Sequence, residues 1–202
     1  MTKVQILLDI AMCLLWITTY TLVLIGSIRY QYPLISPITQ AIIAPLEFSV
    51  LFLFIKIGAF RVDYASIAYL YWSIIEISIM LLMIKNGWVK KKYQIQYVIC
   101  VCVITAIMIY WVTVKENMFF FTYLNTFSGI VIWLLYVIAN KDFPMKPITL
   151  AIFIIKFIAD IFALGAYFGV GNWAAQVMCV LLPVIDLFFV IIYIMRKIHN
   201  IA

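Results

Sequence analysis

Charge is scarce in this chain. Only 11% of its 202 residues are charged and eight are acidic, while 68% are hydrophobic. A soluble domain of this size keeps most of its outside in water, so that balance excludes one. Histidine is nearly missing. His199 is the single one and lies in a polar tail, and one histidine builds no metal site by itself. The four cysteines, Cys13, Cys100, Cys102 and Cys179, all fall inside apolar runs. None has metal-ligand spacing, and packing is the plain reading of them. No stretch has the composition of a linker or a low-complexity segment, so residues 1–202 are expected to form one membrane domain.

What the chain has instead is long apolar runs, with a mean hydropathy of +1.17. Seven recur: Val4 to Gly26, Pro37 to Ile57, Ser66 to Ile84, Gln94 to Val114, Met118 to Ile138, Ile148 to Phe168 and Trp173 to Tyr193. About 20 residues of helix cross about 30 Å of hydrocarbon. The expected fold is therefore all-α, a polytopic membrane protein of seven transmembrane helices. Short separators carry turn or charge signals: Arg29-Tyr30-Gln31-Tyr32-Pro33, Arg61-Val62-Asp63, Lys85-Asn86-Gly87, Lys115-Glu116-Asn117, Lys141-Asp142-Phe143-Pro144 and Gly169-Val170-Gly171-Asn172. Lys115-Glu116-Asn117 is the weakest break, since an apolar run resumes almost at once, and it predicts a tight hairpin between spans four and five. The first run is too long for the apolar core of a signal peptide and has no small-residue cleavage site, so it reads as a retained helix.

The basic residues divide unevenly. The side holding the N-terminus would carry Lys3, Lys56, Arg61 and Lys115. The other side would carry Arg29, Lys85, Lys90, Lys91, Lys92, Lys141, Lys146, Arg196 and Lys197. The positive-inside rule places the richer side in the cytoplasm, with the N-terminus out and the C-terminus in. That bias and anionic lipid account for the net charge of +6, which does not call for nucleic acid.

Four of the eight acids sit in the middle of apolar runs: Glu47, Glu76, Asp160 and Asp186. An ionised carboxylate at the bilayer centre costs about 2.5–3.5 kcal/mol, so four unpaired ones would cost about 10–14 kcal/mol. They must be protonated, paired, or turned to a polar cavity. Each lies ten to thirteen residues into its span, which puts all four within about one helical turn of the midplane. A shared cavity explains a shared depth; hydrogen-bonded glue between helices is the plainer alternative. Lys156 and Asp160 are spaced i,i+4 and read as a structural ion pair. Glu47, Glu76 and Asp186 have no cation nearby in sequence, and at least one is expected to be held protonated.

Other polar residues share faces with the acids. Span two carries Ser36, Gln40 and Glu47, with Pro45 loosening the backbone before the acid. Span three carries Tyr69, Trp72, Ser73 and Glu76, followed by Met80 and Met83. Span five carries Thr122, Asn125, Thr126, Gly129, Trp133 and Tyr136. Span seven carries Gln176, Cys179, Pro183, Asp186 and Tyr193. Trp72, Gln40, Asn125 and Gln176 are thus expected at the cavity beside the acids. Trp16, Tyr69, Trp111 and Trp133 also lie deep, and could offer π faces to a cation. Packing is the plainer reading for each of them.

These residues resemble the small seven-span integral-membrane terpene cyclases of fungal meroterpenoid and indole-diterpene pathways and their bacterial relatives. The likeness rests on Pro37-Ile38-Thr39-Gln40-Ala41-Ile42-Ile43-Ala44-Pro45-Leu46-Glu47-Phe48, on Trp72 and Glu76 with Lys85-Asn86-Gly87-Trp88, and on Trp173 thirteen residues before Asp186. Ile43 and Leu46 stand where that family has Asn and Trp, and Glu76 stands where it usually has Asp. The resemblance implies a terpene cyclase acting on a lipophilic polyprenyl substrate from the bilayer, with or without a terminal epoxide. It implies Glu47 and Asp186 as the catalytic acids, assisted by Glu76 or Asp160, with no metal or other cofactor. The lack of a clustered Asp-rich diphosphate motif agrees with that.

A proton-coupled small-solute transporter is the competing expectation, since it too places acids at the midplane. Pro45 and Pro183 each precede an acid, and Ile74-Ile75-Glu76-Ile77 with Trp88 faintly echoes Ile158-Ala159-Asp160-Ile161 with Trp173. A retinal protein is disfavoured because the last span holds no lysine for a Schiff base.

Overall fold

The computed structural model describes residues 2–56, 64–114, 118–169 and 173–199. These form seven α-helices: α1 (Lys3–Tyr30), α2 (Pro37–Lys56), α3 (Tyr64–Lys85), α4 (Gln94–Val114), α5 (Met118–Ala139), α6 (Pro147–Tyr167) and α7 (Trp173–His199). A single 3₁₀ turn, Lys91–Tyr93, precedes α4. Six helices are long and apolar enough to cross a membrane, and α2 over Pro37–Phe52 is a shorter apolar helix. The separators at 61–63, 115–117 and 170–172, and with them the expected hairpin at 115–117, lie outside the described residues.

The helix ends follow local chemistry. Thr2 and Gln5 form a capping box at the start of α1: Gln5 N donates to Thr2 Oγ1 at 3.2 Å and Thr2 N to Gln5 Oε1 at 2.8 Å. Ser36 caps α2 by accepting from Thr39 N at 2.9 Å, with Pro37 opening the helix. Ser36 is therefore a cap rather than a member of the deep stripe expected for span two.

Two helices outrun their expected spans. α1 continues through Arg29 and Tyr30, and α7 continues to His199. No proline or glycine stops either one there, and cations near a helix C-terminus are favoured by its dipole. α1 ends only where Gln31 turns left-handed at φ 50°, just before Pro33.

Six helices close a ring in the order α1, α6, α7, α5, α2, α3 and back to α1. α4 stands outside this ring against α2 and α5. The surface is inverted relative to a soluble protein. Val4, Leu7, Ile95, Ile99, Leu135 and Ile194 are among many large apolar side chains on the outside. Thr19, Thr39, Gln40, Ser49, Glu76, Lys156 and Asp186 are buried. Apolar surface on that scale does not face water, and the chain reads as a multi-pass membrane protein.

Aromatic packing locks one end of the ring. Phe189 of α7 lies 5.4 Å from Trp133 of α5 and 4.9 Å from Phe153 of α6, between ring centroids. Trp133 Nε1 donates to the Leu34 carbonyl at 2.7 Å, and the Tyr136 hydroxyl to the Pro33 carbonyl at 2.9 Å. These bonds tie the α1–α2 connection to α5. Deeper in, Gly129 lets the Ile43 side chain of α2 press directly on the α5 backbone.

Candidate functional site

The ring holds a partly open cavity of about 220 Å³. All six ring helices line it, and α4 does not. Six aromatic side chains line its wall: Trp16 and Tyr20 from α1, Tyr69 and Trp72 from α3, Tyr123 from α5 and Tyr167 from α6. Three carboxyl groups interrupt it: Asp9 of α1, Glu47 of α2 and Asp160 of α6.

Glu47 is buried at 6% exposure, and its Oε2 meets no hydrogen-bond partner. Two other wall residues also hold buried, unpartnered polar atoms, Trp72 Nε1 and Thr122 Oγ1. Buried polar groups in folded proteins almost always find partners, and these three wall atoms are placed to bond a ligand or water in the cavity.

Asp160 opens a second arrangement behind the wall. Lys156, one turn earlier on α6, brings its Nζ to 3.4 Å from Asp160 Oδ2 and also bonds Asp186 Oδ1 of α7. All three side chains are buried. The expected Lys156–Asp160 pair is thus one arm of an Asp-Lys-Asp triad. Asp186 has no cation nearby in sequence, and α6 supplies one. The same ammonium lies 5.2 Å from the Trp16 ring centroid and 5.8 Å from that of Phe189. Trp16 is a wall residue, so the triad sits directly behind the cavity.

Glu76 is completely buried and does not reach the wall. The Tyr20 hydroxyl faces its carboxyl, yet neither Glu76 oxygen has a partner at bonding geometry. Tyr20 also shares the cavity wall with Glu47 and Asp160. Gln40 lies behind them and donates its Nε2 to the Glu76 carbonyl at 3.4 Å.

The structure therefore brings Glu47, Asp160 and Trp72 together at the cavity. It places Asp186 and Lys156 one layer back, and Glu76 and Gln40 deeper in the α2–α3 contact. Asn125 is buried with its Nδ2 unpartnered, but it does not line the cavity, and neither does Gln176 on α7. From the α5 stripe, Thr122 and Thr126 reach the wall instead.

Asp9, Tyr20, Tyr123 and Tyr167 are wall residues that the sequence reading did not select. Asp9 accepts a short hydrogen bond from the Tyr167 hydroxyl, joining α1 to α6. Their signal was present in part. Asp9, Cys13, Trp16 and Tyr20 follow 3–4 spacing along α1 and form one stripe.

Among the described residues, no three His, Cys, Asp or Glu side chains are grouped as metal ligands. No protein-family model, curated protein or solved structure matches the chain.

Proposed function

We propose that this protein is a membrane-bound terpene cyclase. It crosses a plasma membrane or endomembrane seven times, with its N-terminus outside and its C-terminus in the cytoplasm. It cyclises a polyprenyl substrate by protonation, without a metal. The observation that carries this reading is the aromatic-lined cavity with the buried Glu47 carboxyl, its Oε2 unpartnered, on its wall.

In this mechanism Glu47 is the acid. A buried carboxyl with no cation beside it is tolerated in a membrane chiefly as the neutral form. A neutral carboxylic acid in a dry site is a proton donor. Its proton passes to a terminal epoxide oxygen or alkene carbon of the substrate. The π electrons of the chain then form the ring bonds. The travelling cation is shielded from water and faces Trp16, Tyr69, Trp72 and Tyr123. A carboxylate removes the last proton, so substrate and product are isomers. Asp160 is the member of the triad that reaches the wall and takes this role. Asp186 and Lys156 stand behind it and set its charge. Glu76 and Tyr20 assist Glu47 from the other side.

The cavity is smaller than the roughly 300–1,000 Å³ typical of drug-sized ligand pockets. It suits the reacting end of a polyprenyl chain, with the remainder lying between helices or in lipid.

A proton-coupled small-solute transporter is the second reading, favoured by the buried Asp-Lys-Asp triad. Weighing against it, α2 and α7 run unbroken through Pro45 and Pro183, whereas transporter sites commonly use discontinuous helices.

The test is to supply membranes containing the protein with polyprenyl alcohols and their terminal epoxides. Cyclic isomers of unchanged mass support the cyclase. No product from any of them, with solute uptake into liposomes driven by a pH gradient, supports the transporter.

A further inference from the structure

A second concave site lies on the outside of the ring. α3 and α4 are consecutive in the chain, yet each leans on α2 rather than on the other along its length. They are joined at one end. There the Tyr97 hydroxyl of α4 meets Met83 Sδ of α3 at 3.8 Å. Beyond that contact a groove of about 510 Å³ opens between them, backed by Phe48 of α2. Its sides are apolar, with Met80 and Ile84 from α3 and Val98, Cys102 and Ala106 from α4.

The joined end carries a dense positive charge. Lys85 follows the groove residue Ile84 directly, and Lys90, Lys91 and Lys92 complete the connection to α4. All four are exposed, and none makes an ion pair with a described residue. The loop that holds them is firmly built. Gln94 Nε2 donates to the carbonyls of Ile84 at 3.1 Å and Val89 at 3.3 Å, and Trp88 N donates to the Met83 carbonyl at 3.0 Å. Gly87 makes the turn at φ 69°.

An apolar cleft between membrane helices, ending at a cluster of exposed lysines without carboxylate partners among the described residues, matches one kind of molecule in both parts. We infer that this groove binds an anionic phospholipid. One acyl chain lies between α3 and α4, and the phosphate lies on the lysine loop. From Val98 to Ile109 the groove follows α4 for about 16 Å, enough for most of an acyl chain. The site is separate from the ring cavity and stands whether or not the cyclase reading holds.

The test uses the full-length protein in a non-ionic detergent. Bound lipid is counted by native mass spectrometry during titration with phosphatidylglycerol or phosphatidylcholine. The expected result is retention of phosphatidylglycerol at roughly ten-fold lower concentration than phosphatidylcholine. Replacing all four lysines (K85Q, K90Q, K91Q, K92Q) should bring the two lipids to within roughly two-fold of each other. Filling the groove with Ala106→Trp should lower phosphatidylglycerol retention by roughly ten-fold with the lysines intact. Glycerol 3-phosphate should not displace the lipid. Equal retention of the two lipids by the parent protein would overturn the proposal. So would a preference that survives the four lysine replacements. Unchanged binding by Ala106→Trp, or displacement by glycerol 3-phosphate, would identify a phosphate site on the loop alone and would equally overturn it.

Discussion

Lys156 of α6 bonds Asp186 of α7 across the helix pair while standing 3.4 Å from Asp160 on its own helix. One ammonium thus serves two carboxyl groups, and all three lie inside a ring of apolar helices. Two aspartates and one lysine make a neutral cluster only when one carboxyl keeps its proton. Two carboxyl groups thus share one buried cation next to the cavity.

Removing the lysine should be costly. Breaking a buried ion pair by deleting one partner typically costs about 3–5 kcal/mol, because the charge left behind is uncompensated. Lys156→Met is expected to destabilise the protein by about that amount. Adding Asp160→Asn to the same chain, which removes the ionised carboxyl, should recover most of the loss. Thermal unfolding in detergent, run as a double-mutant cycle, measures this. Equal melting of parent and Lys156→Met would show that the triad contributes nothing to stability.

The bond between Tyr167 and Asp9 makes a separate prediction. A buried hydrogen bond typically contributes about 0.5–1.5 kcal/mol net. Tyr167→Phe is expected to lower stability within that range. In an Asp9→Asn background the same change should cost less. If the two effects simply add, the pair is not coupled.

Gly129 makes room for a side chain of the cavity wall. A Cβ built there would collide with the side chain of Ile43, itself a wall residue. Gly129→Leu should push Ile43 inward and cost about 1–3 kcal/mol as overpacking. Turnover of a bulky polyprenyl substrate should fall more than that of a short one. Equal losses for both would mean that the damage is to folding and not to cavity shape.

Much of this architecture was legible in the sequence, for a physical reason. In a membrane, apolar length dictates helix length, so the seven runs and the seven helices agree to within a few residues over most ends. The exceptions are instructive. α1 and α7 extend past their apolar runs because Arg29, Arg196 and Lys197 are good helix formers, and polar heads can stand in the interface. The depth of Glu47, Glu76, Asp160 and Asp186 could also be counted along the chain.

Which acids share a cavity could not be counted. That depends on the rotation of each helix and on which helices are neighbours. The i,i+4 spacing of Lys156 and Asp160 was visible, whereas Asp186 lies thirty residues from Lys156 and meets it only because α6 packs on α7. Asn125 and Gln176 lie on polar stripes but are rotated off the wall. Asp9 was passed over because it stands near the start of its run, yet α1 packs against α6 and brings it to Tyr167.

The most direct test of the central claim is product formation by Glu47→Gln. Gln keeps the size and shape of the side chain and removes only its ability to give a proton. Membranes containing the parent protein or this variant are supplied with the same polyprenyl substrate, and cyclic isomers are counted by mass spectrometry at matched protein levels. The expected result is a loss of about 10²–10⁴-fold in cyclic product, with unfolding temperature unchanged or raised. Cyclic product from Glu47→Gln at the parent rate would contradict the account.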